Sequence, residues 1–118
     1  MNLAHYGKDI KWTEKKFRFK AVENGEIVGT VSGKYESGVV YISSLITHED
    51  YRGQGIGTML VQKVQEFGKK NGAHLMWLNT GKEWSENSFY QKLGFKLIAD
   101  LPDFYFHTDF VIYTREIK

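Results

Sequence analysis

The sequence predicts an α/β fold, with a mixed, mostly antiparallel central sheet, helices on its faces and one parallel strand–helix–strand crossover. Three observations predict it. Two alternating runs flank a hairpin signal at Asn24-Gly25. A glycine-rich stretch, Tyr51-Arg52-Gly53-Gln54-Gly55-Ile56-Gly57-Thr58, joins an apolar run to a run of helical period. Another apolar run opens at Ala73, just past the helix-ending pair Asn71-Gly72.

In chain order, Met1 to Glu14 is mixed, with Tyr6, Ile10 and Trp12 as apolar anchors, and yields no assignable element. Phe17 to Glu23 alternates as a strand does, and Glu26 to Ser32 returns after the hairpin. Lys34 to Gly38 reads as a second turn. Val39 to Thr47 reads as a third antiparallel strand, rich enough in Val, Tyr, Ile and Leu to be covered on both faces. Ile56, Met59, Leu60, Val64 and Phe67 then share one face of a helix ending at Lys70, while Gln62, Lys63, Gln65, Glu66 and Lys69 lie mostly on the other. Ala73 to Asn79 is the next strand, parallel to the third because a helix carries the chain between them. Ser85 is placed to cap a short helix through Leu93, closed by Gly94-Phe95. Phe95 to Leu101 forms a strand before Pro102, and Phe106 to Thr114 completes the sheet.

At 118 residues, 42% hydrophobic and 15% aromatic, the chain suits one domain spanning 1–118 with a packed core. A net charge of +2, with no basic cluster beyond Lys15-Lys16 or Lys69-Lys70, argues against a nucleic-acid partner. The absence of cysteine excludes disulfides, a thiol nucleophile and zinc–thiolate chemistry. Histidines at 5, 48, 74 and 107 lack ligand spacing, so no metal is expected. No apolar run has the length of a membrane span and the first residues lack a signal-peptide layout, so no membrane partner and a cytoplasmic location are the expectations.

The glycines at 53, 55 and 57 permit positive φ and close approach to backbone amides. The helix they introduce offers unpaired N–H groups and the positive end of a dipole, which suit a phosphate. Arg52 adds a cationic fork at the edge. The stretch is not a nucleoside-triphosphate loop, for want of its lysine, nor a dinucleotide fingerprint, whose third glycine would fall at Leu60. Its own pattern is R-x-x-G-x-G, as Arg52, Gly55 and Gly57. A tight structural turn is the plainer alternative.

With Leu45-Ile46-Thr47-His48 ahead of it and Phe89-Tyr90-Gln91-Lys92-Leu93-Gly94-Phe95 after it, the pattern resembles the GNAT superfamily of N-acetyltransferases. The resemblance covers roughly Phe17 to Lys118. It implies acetyl-CoA as cosubstrate, its pyrophosphate held by Arg52, Gly53, Gln54, Gly55, Ile56, Gly57 and Thr58, and its pantetheine arm paired with the main chain of Leu45, Ile46 and Thr47. It implies that Tyr90 lies near the coenzyme sulfur and protonates the departing thiolate; an aromatic with its hydroxyl tied to backbone is the alternative. Where the family often carries Asn, seven residues before this tyrosine, Glu83 stands here, and Asn79 is the substitute for that polar contact. Many members begin with a strand and two helices that wall the acceptor site, for which the stretch ahead of Phe17 is too short. Apolar surface left uncovered by that shortening makes a homodimer the expectation.

Acetyl transfer also needs a neutral amine, and a lysine-like amine is neutral in about one molecule in a thousand at pH 7. No base is readable outright. Glu49 and Asp50 are acidic turn residues, and His48 lies near the donor. His107 and Asp109 would share a face of the last strand, and His107 follows the aromatic segment Phe104-Tyr105-Phe106. An acceptor site is therefore expected where Trp12, Ser43 and Ser44 meet Tyr105, Phe106 and His107, with His107 as base. The activity expected is transfer from acetyl-CoA to a primary amine of a small molecule or protein, by direct attack in a ternary complex. A non-catalytic acyl-CoA-binding or sensor domain and a purely structural domain are the competing readings.

Overall fold

The structure, a computed structural model, describes residues 12–118. Six strands, β1 (Glu14–Glu23), β2 (Glu26–Glu36), β3 (Val39–Thr47), β4 (Leu75–Gly81), β5 (Lys96–Leu101) and β6 (Phe110–Glu116), form one sheet in the order β1-β2-β3-β4-β6-β5. Every neighbouring pair is antiparallel except β3 and β4. The crossover between those two is α1 (Ile56–Lys70), and α2 (Glu86–Lys92) joins β4 to β5.

Both helices pack on the same face of the sheet. Phe67 of α1 meets Phe17 and Phe19 of β1 at ring separations of 5.0 and 5.8 Å. Tyr90 of α2 packs edge-on to Phe95, 5.7 Å away, and lies 6.2 Å from Tyr113 of β6. Arg115, two residues along from Tyr113 and so on its face, donates both to Gln65 of α1 and to the Leu93 carbonyl closing α2. The core lies between this face and the helices, with Val31, Val40, Val64, Met76, Val111 and Tyr113 fully buried. The opposite face carries Tyr41, Trp77 and Asn79, partly exposed among the described residues. On β3 only Val40 and Ile42 are buried, so the expectation of cover on both faces is corrected.

Several bounds differ from the sequence reading, each for a physical reason. β1 and β2 extend to Glu14 and Glu36, because hydrogen-bond pairing continues through the polar stretch Glu14-Lys15-Lys16 and Lys34-Tyr35-Glu36. The second turn shrinks to Ser37-Gly38, both at positive φ (43° and 100°). β4 starts at Leu75 because the Ala73 N–H is taken by the Gly68 carbonyl at the end of α1. Ser85 precedes α2 in a helical conformation and its side chain caps nothing. Asn87 does the tying instead, its amide donating to the carbonyls of Gly81 and Trp84 at 2.9 and 2.7 Å.

The last strand starts at Phe110, not Phe106. Asp109 Oδ1 accepts the Asp103 N–H at 2.8 Å, and Phe106 and His107 stand at φ 52° and 57°, outside strand geometry. His107 and Asp109 therefore do not share a strand face.

Candidate functional site

The site begins with an extra residue in β3. Ser44 pairs with Ser32 and Ile42 with Gly33, leaving Ser43 as a bulge whose hydroxyl donates to the Ser32 carbonyl at 3.1 Å. A Cβ on Gly33 would meet the Tyr41 carbonyl oxygen at 1.9 Å, so only glycine fits opposite this bend. The parallel ladder joins only Val39, Val40 and Tyr41 to Leu75, Met76 and Trp77. Beyond it the strands part, and among the described residues the β4-facing side of Ile42 to Thr47 has no strand partner. Such an edge accepts an extended ligand as an added strand.

Beyond Thr47, His48 Nδ1 accepts the Asp50 N–H at 3.2 Å and opens a short 3-10 turn, Glu49–Tyr51. His48 is thereby a turn cap, while Glu49 and Asp50 are exposed. Arg52 Nε donates to the Thr47 carbonyl at 3.4 Å, tying the glycine loop to the end of β3. Gly53 and Gly55 sit at φ 81° and 80°, a conformation that disfavours side chains, and a Cβ on either would stand in open space. The Met59 N–H closes the first turn of α1 onto the Gly55 carbonyl. Among the described residues, no backbone carbonyl receives the N–H groups of Gly53 to Thr58. They form a concavity of donors at a helix N-terminus, with Arg52 beside it, suited to an anion.

Gly57 has a different task. Its Cβ would lie 3.0 Å from the Phe89 ring, so it lets the start of α1 pack against α2.

These parts enclose a cleft of about 540 Å³. Leu45, Ile46, Thr47, Arg52, Gly53, Gly55, Ile56, Gly57, Thr58 and Tyr90, all expected from the sequence, line it. Ser85, Glu86 and Phe89 also line it and were not among the expected site residues. For Phe89 the available signal was its place in the quoted motif, directly before Tyr90. Gln54 and Asn79 are not in the lining; Asn79 Nδ2 reaches Tyr41 Oη at 3.4 Å on the opposite sheet face. Glu83 is exposed on the turn before α2.

Two tyrosines show how burial separates roles. Tyr113, wholly buried, donates to Asn87 Oδ1 at 2.8 Å and accepts from Gln91 Nε2 at 3.1 Å. Tyr90 is 8% exposed, lines the cleft, and its hydroxyl has no protein partner among the described residues. Burial, assisted by the charge of Glu86, pushes its hydroxyl up to about 12. It stays protonated and can donate into the cleft at any physiological pH.

The residues expected to build one acceptor site fall in three places. Trp12 lines a groove with Lys34, Glu36, Ser37, Val39, Tyr41 and Trp77, by the start of β3. Ser43 and Ser44 line a groove on the sheet face away from the helices. Tyr105 packs edge-on to Phe110, 5.1 Å away, within an aromatic cluster with Phe104, and Trp84 meets Phe110 at 5.2 Å. Phe106 is exposed, and His107 projects into solvent with Nδ1 2.7 Å from Asp103 Oδ1. None of these loop residues lines the cleft. Among the described residues, no group of His, Cys, Asp and Glu is arranged to hold a metal ion.

Residues 3–95 match the model of the acetyltransferase (GNAT) family. The chain is 34% identical over 85 residues to an uncharacterized N-acetyltransferase of Bacillus subtilis, covering 71% of this chain and 34% of that protein. It is 32% identical over 110 residues to one from Methanocaldococcus jannaschii, covering 78% of this chain and 49% of that one. It is 36% identical over 91 residues to N-alpha-acetyltransferase 30 of Schizosaccharomyces pombe, covering 72% and 59% respectively. The chain thus spans between about a third and three fifths of these relatives. Among solved structures, aminoglycoside 6'-N-acetyltransferase complexed with coenzyme A superposes with a TM-score of 0.79 at 20% identity, over 87% of this chain and 73% of that one. The ribosomal-protein-S18-alanine N-acetyltransferase of Escherichia coli gives 0.78 at 18% identity, over 98% and 75%. Both likenesses concern the fold.

Proposed function

The chain belongs to the GNAT acetyltransferase family, and from that premise we propose that it transfers the acetyl group of acetyl-CoA to a primary amine by direct attack in a ternary complex. One observation carries the reading: a single cleft joins the unpaired edge of β3, the donor-lined start of α1 with Arg52, and the unpartnered hydroxyl of Tyr90. The open space in front of Gly53 and Gly55 leaves room for a diphosphate on the amides of that loop. A solved relative of the same fold holds coenzyme A, which supports the same ligand here.

In this reading the backbone of Leu45, Ile46 and Thr47 holds the pantetheine arm, and N–H groups along the parted β3 edge polarise the acetyl carbonyl. The thioester supplies the acetyl group and its sulfur leaves as a thiol. Tyr90 donates a hydrogen bond to that sulfur. Full proton delivery from a phenol near 12 to a thiolate near 8.5 would be uphill by roughly 5 kcal/mol, at about 1.4 kcal/mol per pKa unit. The attacking nitrogen, acidified on forming its bond to carbon, is the better source of that proton. Among the described residues lining the cleft, Glu86 is the one carboxylate and there is no histidine. The amine's own pKa then governs how much of it is competent to attack.

Calorimetry with acetyl-CoA, followed by thiol release over a panel of amines, tests the proposal. Binding with release establishes the enzyme. Binding without release for every amine selects the non-catalytic acyl-CoA-binding alternative. Absence of binding overturns both.

A further inference from the structure

On the sheet face away from both helices, β1, β2 and β3 form a second groove of about 700 Å³. Phe17, Phe19 and Ala21 turn toward the core, so Lys16, Arg18 and Lys20 take this face. Lys16, Arg18 and Lys34 line the groove together with Thr30, Tyr41 and Ser43, and no aspartate or glutamate does. Lys34 is already engaged by Glu36 at 2.5 Å, with Glu14 at 3.9 Å. Lys16 and Arg18 form no ion pair among the described residues. Ile46 lines both this groove and the coenzyme cleft, so the two spaces flank the same stretch of β3, which among the described residues has no strand partner on its β4 side.

From this juxtaposition we propose that the acceptor approaches through the groove and is an anionic amine, one that carries a carboxylate on a short arm from its nitrogen. The inference rests on the acetyl-transfer reading above and names its substrate class. Register supplies the spacing. Arg18 lies beside Ser32, and Ser32 beside Ser44, so the Arg18 backbone stands two strands, roughly 10 Å, from β3. An amine at the parted edge, its carboxylate extended toward β1, meets Arg18 and Lys16 within the reach of those long side chains. The Tyr41 and Ser43 hydroxyls lie between as neutral hydrogen-bonding groups. An amine with a cationic body finds the same charges repulsive, which gives selection by exclusion as well as by attraction.

The test compares acceptors whose only carboxylate is present or amidated: glutamyl against glutaminyl dipeptides with amidated C-termini, and β-alanine against β-alaninamide, with rates referred to the neutral amine. At saturating acetyl-CoA and low salt, kcat/KM is expected to be about tenfold higher for each acid, the scale of two partly exposed ion pairs. The Lys16→Gln/Arg18→Gln variant should bring that ratio near one, and 0.5 M salt should shrink it in the native protein. Dipeptide against free amino acid distinguishes a peptide from a small acceptor within the class. Acetyl-CoA affinity, measured by calorimetry on the same samples, separates the two layers of argument. Coenzyme binding with equal rates for acid and amide, with a ratio unmoved in the double variant, or with no transfer to the acids, overturns the anionic acceptor alone. Loss of coenzyme binding by the native protein overturns the acetyl-transfer reading itself.

Discussion

The Tyr113 hydroxyl donates to Asn87 Oδ1 at 2.8 Å, joining the last strand to the helix that carries Tyr90. Asn87 also holds the turn before that helix, so one side chain fixes where Tyr90 stands relative to β4 and β6. Asn87→Ala leaves a buried hydroxyl and two carbonyls short of a partner and is expected to cost roughly 2–3 kcal/mol. Urea unfolding at 25 °C reads this directly. An unmoved midpoint would remove the anchoring role.

For Tyr90 itself, phenylalanine deletes the donor and keeps the packing against Phe95. Turnover is expected to fall by about ten- to a hundredfold while the acetyl-CoA Kd stays within about twofold, because the bond strengthens as charge develops on sulfur. Full turnover in the variant would assign Tyr90 to the core alone.

Burial of the same phenol has a signature in stability. Its proton is held to about 12 in the folded chain and to its ordinary 10.0 when unfolded. The corresponding stabilisation is whole below pH 10 and is lost as pH rises from 10 to 12, roughly 2–3 kcal/mol in all. Native protein and Tyr90→Phe should therefore diverge in unfolding midpoint across that window. A constant difference between them from pH 9 to 12 would contradict the assignment.

The loop glycines should separate into two kinds. Gly55→Ala meets open space, so its stability loss is the roughly 1–2 kcal/mol of a side chain at positive φ, with a larger loss in acetyl-CoA affinity. Gly57→Val instead drives against Phe89 and should destabilise by about 1–3 kcal/mol. Combining it with Phe89→Leu should cost less than the sum of the two single changes. Strict additivity would mean that the ring and the glycine do not press on each other.

Because His107 stands in solvent beside Asp103 rather than in the cleft, His107→Ala is expected to leave kcat/KM within about twofold from pH 6 to 9. Over that range log kcat/KM should rise with unit slope up to the pKa of the amine used. Loss of most of the rate in the variant at neutral pH, with partial recovery at higher pH, would restore His107 as the base.

Legibility followed chemistry that is local in sequence. The Asn24-Gly25 hairpin reads directly because φ values of 50° and 78° need those residues. The β3–loop–α1 unit reads because its strand, its glycines and the periodicity of its helix are contiguous. The ends of β1 and β2 were missed because pairing needs no apolar signal on an exposed face. The last strand was misplaced because a side chain, Asp109, closes the loop before it, and Phe104-Tyr105-Phe106 has strand-like composition. The spread of the expected acceptor residues over three places was not legible, for a further reason. Whether Trp12, Ser43 and Tyr105 meet depends on which strands lie between them, and spacing along the chain carries no such information.

The three residue pairs between β3 and β4 also divide the molecule mechanically. On one side lies the ribbon β1–β2–β3, on the other β4–β6–β5, each held by long antiparallel ladders. Across the seam, α1 acts as a splint: Gly68 nestles against Val40 of one ribbon and Ile117, just past β6, of the other. Opening along this line breaks far fewer backbone hydrogen bonds than unfolding either ribbon. Amides of Val39 to Tyr41 and Leu75 to Trp77 should exchange with solvent faster than those inside the ribbons. A ligand lying in the fork would bridge the two ribbons and slow that exchange, a change that hydrogen–deuterium measurements detect without any acceptor present.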